Sequence, residues 1–332
     1  MIISRTPLRM SFVGGGSDLG VYYREKGGAV VSTAVDKYIY INVNRKFDDG
    51  VRLSYSKTEN VDCVANIEHP IVRHTLDLLG ITGGVEITSI ADIPSHGTGL
   101  GSSSCFTVGL LNALHAYLGR YISAGELGRL SCHIEIDKCL EPIGKQDQYA
   151  SAYGGFNLIE FRPDESVVVS PVIIQPDLKT KLESEIVVFY TGRTRSASGI
   201  LKDQVAAVAS QPQKRQALDR MVRLAYELTE ELQRGALDAF GAILDENWRL
   251  KRELAAHVTS SEIDDWYGAG RAAGATGGKI LGAGSGGFLM FHAPAERIPG
   301  IRETLDFMRQ VPFRFERNGS QIIFYNPTCP DR

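Results

Sequence analysis

Apolar and polar positions follow two spacings along the chain. Up to about residue 60 the apolar residues come in short β-branched and aromatic runs, as in VVSTAVDKYIYINVNRKF at 30–47, which predicts paired strands broken by glycines. Residues 69–80 carry Ile71, Leu76 and Leu79 at helical spacing, and VEITSIADIP at 85–94 returns to a strand that stops at Pro94. A glycine-rich turn follows. It opens into an apolar stripe of helical period at Phe106, Leu110, Leu111, Leu114 and Leu118. Gly119 ends that helix. Ser123 with Glu126 forms a capping box for the next one, whose apolar positions Leu127, Leu130 and Ile134 place Glu135 late on it.

Strand-like runs recur at FNLIEF (156–161), SVVVSPVIIQP (166–176) and EIVVFYTG (185–192). A helix-rich stretch then spans 203–274, with Ser196 or Ser198 as a cap for its first helix, before KILGAGSGGFLMFHA at 279–293 turns back to strand. Asn318-Gly319 between two alternating segments predicts a tight hairpin. Strands and helices mix in both halves, no repeat or low-complexity tract interrupts them, and the expected class is α+β with two domains, 1–175 and 176–332.

Composition narrows the partners. A chain of 332 residues with 43% hydrophobic content buries a substantial core, while a net charge of −3 provides no field that would gather nucleic acid or an anionic membrane. The opening MIISRTPLRMSFVGGG carries an early arginine and no unbroken apolar run, so neither a secretory signal nor a membrane span is expected, and the expected location is cytoplasmic. Five cysteines without a C-x-x-C pair read as reduced, packed thiols, and seven histidines without zinc spacing predict no transition metal. A small-molecule partner fits these limits, with a homodimer as the expected assembly.

The run Gly97, Thr98, Gly99, Leu100, Gly101, Ser102, Ser103, Ser104 can converge several backbone N–H groups on a polyphosphate at a helix start. It lacks the lysine of G-x-x-x-x-G-K-[ST], and Ser104 stands where G-x-G-x-x-G needs its last glycine. The early Gly14-Gly15-Gly16-Ser17 is likewise no dinucleotide fingerprint, which disfavours an oxidoreductase. IPSHGTGLGSSSCFTVGLLNAL resembles the second motif of the galactokinase, homoserine kinase, mevalonate kinase and phosphomevalonate kinase (GHMP) superfamily, RTPLRMSFVGGGSDL resembles the first, and GGKILGAGSGGFLMF the third.

That resemblance implies an N-terminal ribosomal protein S5 domain 2-like domain, a C-terminal ferredoxin-like α/β sandwich and an active site in the cleft between them. It implies ATP on the 97–104 loop, Mg2+ at Ser103 and Glu135, and Asp147 at the acceptor hydroxyl with Arg9 beside it; Glu135 and Asp147 stand twelve residues apart, as in the family. Acceptor contacts are expected from Asp18 and the adjoining Gly15, Gly16 and Ser17. Galactokinases carry glutamate and histidine at positions 15 and 16, so the glycines here leave space for a bulkier acceptor. Gly284 belongs to the third motif, which is expected to close over the phosphate site.

Within the superfamily, RTPLRMSFVGGGSDL, IGKQDQYASAYGGFN and YTGRTRSAS are most similar to the D-glycero-D-manno-heptose 7-phosphate 1-kinases. The implied reaction is phosphorylation of the anomeric hydroxyl of that sugar phosphate, with Lys145, Arg193 and Arg195 as candidate partners of its 7-phosphate. Ile143-Gly144 and Arg193 depart from the pattern expected for that group. Another sugar, mevalonate or homoserine as acceptor, and a catalytically silent sensor on the same fold, remain the alternatives.

Overall fold

The computed structural model describes residues 1–94, 99–193 and 197–327. The chain opens with β1 (Ile2–Val13) and β2 (Gly28–Arg45), which pair antiparallel from Ile2 opposite Val43 to Val13 opposite Val31. The ladder slips at Pro7, which has no N–H to donate, and again between Ser11 and Val13. Strands β3 (Val51–Ser54), β4 (Thr58–Val61), β5 (Val85–Ala91), β6 (Phe156–Phe161) and β7 (Val167–Pro171) extend this sheet.

Five helices accompany the sheet: α1 (Gly20–Lys26), α2 (Pro70–Leu79), α3 (Ser102–Tyr117), α4 (Ala124–Cys132) and α5 (Gln146–Tyr153). Residues 104–114 of α3 are buried on every side, which its apolar composition allows. Gly109 permits its contact with β1, because a Cβ there would stand 2.8 Å from Thr6 Oγ1. Ser123 caps α4 through the Glu126 N–H, but the Glu126 carboxylate turns to Arg129 and completes only half of the expected box.

After α6 (Pro176–Ser184) a second, antiparallel sheet forms in the order β11-β8-β10-β9, from β8 (Ile186–Tyr190), β9 (Gly277–Ile280), β10 (Phe288–His292) and β11 (Arg309–Gln310). Helices α7 (Ala197–Ser210), α8 (Pro212–Gln233), α9 (Phe240–Leu254) and α10 (Ser261–Ala272) lie between β8 and β9 in sequence, and α11 (Ile298–Thr304) follows β10. The lobes meet at the end of β1. There Phe12 stacks on Phe156 at 5.3 Å between centroids and meets Phe240 of α9 edge-on at 5.3 Å.

The last strands correct one expectation. β12 (Phe315–Glu316) pairs with β2, and β13 (Gln321–Tyr325) pairs with β1, so Asn318-Gly319 does not close a hairpin. Alternation records which positions are buried, not which strand each segment meets. Gly319 is instead needed for close approach to α5, since a Cβ there would lie 2.0 Å from the Ala152 carbonyl oxygen. The chain therefore passes residue 175 once between β7 and α6 and then returns from the second sheet to the first. Among the described residues no helix is long and apolar enough to cross a membrane.

Candidate active site

The site begins where β1 runs out. Gly14 is left-handed at φ 88°, and a Cβ on it would sit 2.0 Å from the Ala29 carbonyl oxygen. Ser17, expected near the acceptor, is turned into this loop and donates to the carbonyls of Gly14 (2.8 Å) and Ala29 (3.1 Å). Asp18 accepts the Gly16 N–H at 2.8 Å, and its other oxygen accepts the Gln146 N–H at 3.2 Å, while burial raises its pKa. Gly144 makes this possible: a Cβ there would fall 1.9 Å from Asp18 Oδ2.

The expected phosphate loop enters α3 through left-handed Gly99 and Gly101, at φ 78° and 76°; Gly97 and Thr98 lie outside the described residues. Gly99 presses against the third glycine motif. A Cβ on Gly99 would meet the Leu281 carbonyl oxygen at 2.1 Å, and one on Gly282 would meet Gly99 Cα at 2.5 Å. Gly284 packs on the second lobe's own backbone, where a Cβ would lie 2.4 Å from the Val258 carbonyl oxygen. Leu100 is buried, and its carbonyl accepts the Arg9 N–H at 3.2 Å. The first and third motifs thus hold the second from both sides.

Arg9 joins the parts. Its Nε and Nη2 donate to the two oxygens of Asp147, each at 2.7 Å, and Nη1 donates to the Gly99 carbonyl at 2.7 Å. A fork of this kind fixes a carboxylate in one orientation. Gly101 leaves space for it, since a Cβ would stand 3.1 Å from Asp147 Oδ2. Asp147 keeps about a quarter of its side chain exposed, so one face of the clamped carboxylate remains open to a reactant.

Glu135 is fully buried, not on the regular end of α4 but in a π-helical turn over His133–Lys138. Such turns concentrate at functional sites. Ser103 donates to its Oε1 at 2.9 Å and Gln148 to its Oε2 at 2.7 Å, yet burial outweighs both and raises its pKa to about 7. Ser103, Glu135, Asp147 and Arg9 are therefore assembled around the α3 N-terminus. Beside Ser102 and Ser103 opens a cavity of about 450 Å³, with Tyr55, His69, Phe106, Ile93 and Pro94 among its walls. Its size and apolar walls suit a flat heterocycle next to the loop.

Two of the expected basic side chains already have carboxylate partners. Lys145 pairs with Glu165 and lies over the Tyr23 ring at 4.7 Å, while Arg193 pairs with Glu262 at 2.5 Å on the surface of α10. Arg195 and Ser196 lie outside the described residues. Ser198 is inside α7 and donates to Glu141 Oε2 at 2.6 Å, linking the two lobes.

Residues that the sequence reading missed come from the second lobe. Asn247 Oδ1 accepts the Gly14 N–H at 3.0 Å, Lys279 donates to the carbonyls of Ser11 (2.8 Å) and Phe12 (3.1 Å), and Lys251 donates to that of Gly15 at 3.2 Å. The space expected at Gly16 is filled by Gln204 and Lys251. One signal was available: Leu244, Asn247, Trp248, Lys251 and Leu254 share the buried face of α9, where an amide and an ammonium break an apolar stripe.

Residues 64–155 match the GHMP kinases N terminal domain, and residues 228–308 match the GHMP kinases C terminal family. The chain is 29% identical to a D-glycero-alpha-D-manno-heptose 7-phosphate kinase from Campylobacter jejuni, over 95% of this chain and 97% of that one. A structure titled D-glycero-D-manno-heptose 1-phosphate kinase from Bacteriodes thetaiotaomicron superposes with a TM-score of 0.79 at 24% identity, covering 96% of this chain and 98% of its own. A Lactococcus lactis galactokinase, solved with galactose, gives 0.78 at 18% identity over 96% and 94%. The two superpositions establish the fold. With both halves matched in order and a site built where the three glycine motifs converge, the chain belongs to the GHMP kinase superfamily and is an ATP-dependent kinase.

Proposed function

We propose that the chain transfers the γ-phosphoryl group of ATP to the anomeric hydroxyl of D-glycero-D-manno-heptose 7-phosphate, giving the 1,7-bisphosphate and ADP. The product feeds nucleotide-activated heptose for surface polysaccharide, in the cytoplasm. The observation that carries the chemistry is the Arg9 fork on Asp147, set against the Gly99–Gly101 loop. The acceptor's similarity rests on the heptose 7-phosphate kinase that matches almost end to end.

In this reading the triphosphate lies along Gly99–Ser104 with its base in the cavity walled by Tyr55, His69 and Phe106. Asp147 takes the proton of the anomeric hydroxyl while that oxygen bonds to the γ-phosphorus. The bridging P–O bond breaks and ADP leaves with its electron pair. Arg9 holds the carboxylate in place and faces the charge that develops. Ser103 and Glu135 offer two hard oxygens side by side, and a buried carboxylate with a raised pKa is the partner that a divalent cation relieves. Magnesium held there would neutralise charge on the phosphates.

The test is ADP release with heptose 7-phosphate, mannose, galactose and mevalonate, using Asp147→Asn as control and phosphorus NMR to locate the new phosphate. One relative is named for the 7-phosphate and a structural neighbour for the 1-phosphate, so the NMR assignment decides the position. Turnover that depends on heptose 7-phosphate and Asp147, with the phosphate at C1, supports the proposal. Preference for another acceptor overturns the substrate, and silence on all four indicates a sensor.

A further inference from the structure

Gly16 has no side chain, and three second-lobe helices occupy the space it leaves, α8 through Leu218 Cδ2 at 3.3 Å from where a Cβ would stand. A Cβ there would stand 2.4 Å from Gln204 Nε2 on α7 and 3.5 Å from Lys251 Nζ on α9. Lys251 is almost entirely buried, and its acceptors are the neutral oxygens of Gly15 and Gln204, at 3.2 and 3.3 Å. Those bonds lie at or beyond the long end of the ordinary N–H···O range of about 2.7–3.2 Å. Asp18 helps it only through space, with no hydrogen bond between them. The cation is under-satisfied.

Its neighbours point the same way. An ammonium can only donate, so Lys251 faces the amide oxygen of Gln204 and leaves Gln204 Nε2, a buried donor, with no partner. Ser11 Oγ, across the turn, is also buried without a partner. Arg9, Lys251 and Lys279 bring three basic side chains to the end of β1, against Asp18 and an Asp147 already clamped by Arg9, and burial with the neighbouring Lys251 and Arg9 lowers the Lys279 pKa well below its usual value. Lys145 and Arg193 are paired with Glu165 and Glu262.

We infer that Lys251, with Gln204 Nε2 beside it, binds the phosphate carried by the acceptor, an assignment that rests on the proposed phosphorylated sugar. These groups are closed to solvent in the structure, so the assignment requires α9 to part from the 14–16 turn to admit the anion. Burial holds the Lys251 ammonium down to about pKa 8, and a dianion beside it reverses that pressure.

The experiment measures kcat/KM for D-glycero-D-manno-heptose 7-phosphate and for the same heptose without phosphate, in the wild type, Lys251→Met and Gln204→Leu, with thermal melting and the KM for ATP on each. The wild type is expected to prefer the phosphorylated sugar. Lys251→Met should cut that preference about 10- to 100-fold, the range of a hydrogen bond to a charged group, and Gln204→Leu about fivefold. An equal fall on both sugars, or none, overturns the assignment while the substrate stands. If the wild type shows no preference for the phosphorylated sugar, the substrate reading and the assignment fail together. If Lys251→Met does not fold, Gln204→Leu decides.

Discussion

On the proposed donor side of the cleft, Gly99–Ser104 and Glu135 come from one stretch of the first lobe, and the helices that carry them pack on each other. On the proposed acceptor side, the 14–18 turn is completed by Asn247 and Lys251, which reach it from 233 and 236 residues further along the chain. The first is a site written in spacing. The second is a site made by docking two lobes, so a substitution on one side should move ATP or metal dependence and one on the other should move the acceptor.

Asp147 stands between the two, and its loss should be the largest effect. Asp147→Asn keeps the shape but removes the proton acceptor, so kcat should fall by about 10²- to 10⁴-fold while the KM for ATP changes little. A kcat within about tenfold of wild type would remove Asp147 from the chemistry.

Glu135 tests the donor side. Its pKa of about 7 means that at low Mg2+ activity should rise with pH through that value, because the metal needs the ionised carboxylate. Added Mg2+ competes with the proton and should push the acid limb lower; Glu135→Gln should lose that shift and need at least about tenfold more metal. An acid limb that ignores Mg2+ concentration would dismiss Glu135 as a ligand. The sign for stability is opposite. With the folded pKa raised from 4.5 to about 7, the metal-free protein holds the proton more tightly than the unfolded chain, so stability from this group is present below 4.5 and is lost as pH rises to about 7.

A smaller effect is expected where the glycine motifs press together. Gly282→Ala forces a side chain into a backbone at φ 80° with Gly99 Cα 2.5 Å from the new Cβ, a strain of roughly 1–3 kcal/mol before the loop gives way. The KM for ATP should rise and the melting temperature fall, with the acceptor KM nearly unmoved. A rise confined to the acceptor KM would show that this contact does not shape the donor site.

The same contrast explains what could be read from sequence. Glycines at 99 and 282 are needed because backbone meets backbone there, and the one at 101 because its φ is 76° and the Asp147 carboxylate lies against it, constraints that leave their mark at the residue itself. Glu135 and Asp147 sit at fixed offsets within the same helical region. By contrast, Lys145 and Arg193 looked available, yet carboxylates at 165 and 262 hold them. Nothing near either residue in sequence announces those partners. Lys251 looks in isolation like an ordinary helix surface residue; only its place on the buried face with Trp248 and Leu254 distinguishes it. The false hairpin at 318–319 has the same origin, since strand partners are chosen by the whole sheet.

Asn247 gives the finest test of this division. Its carboxamide oxygen accepts the Gly14 N–H at 3.0 Å, and the side chain is fully buried at the seam between lobes. Asn247→Ala leaves that N–H without a partner in a dry place, a cost of roughly 1–3 kcal/mol that the turn can lower by shifting. Such a shift displaces Gly15 and Gly16, on the proposed acceptor side, but not Gly99, which Arg9 and Leu281 hold from other directions. The acceptor KM should therefore rise about three- to tenfold with the KM for ATP within about twofold of wild type. If both constants rose together, the turn and the phosphate loop would move as one body, and the two sides of the cleft would be a single mechanical unit despite their separate origins in the chain.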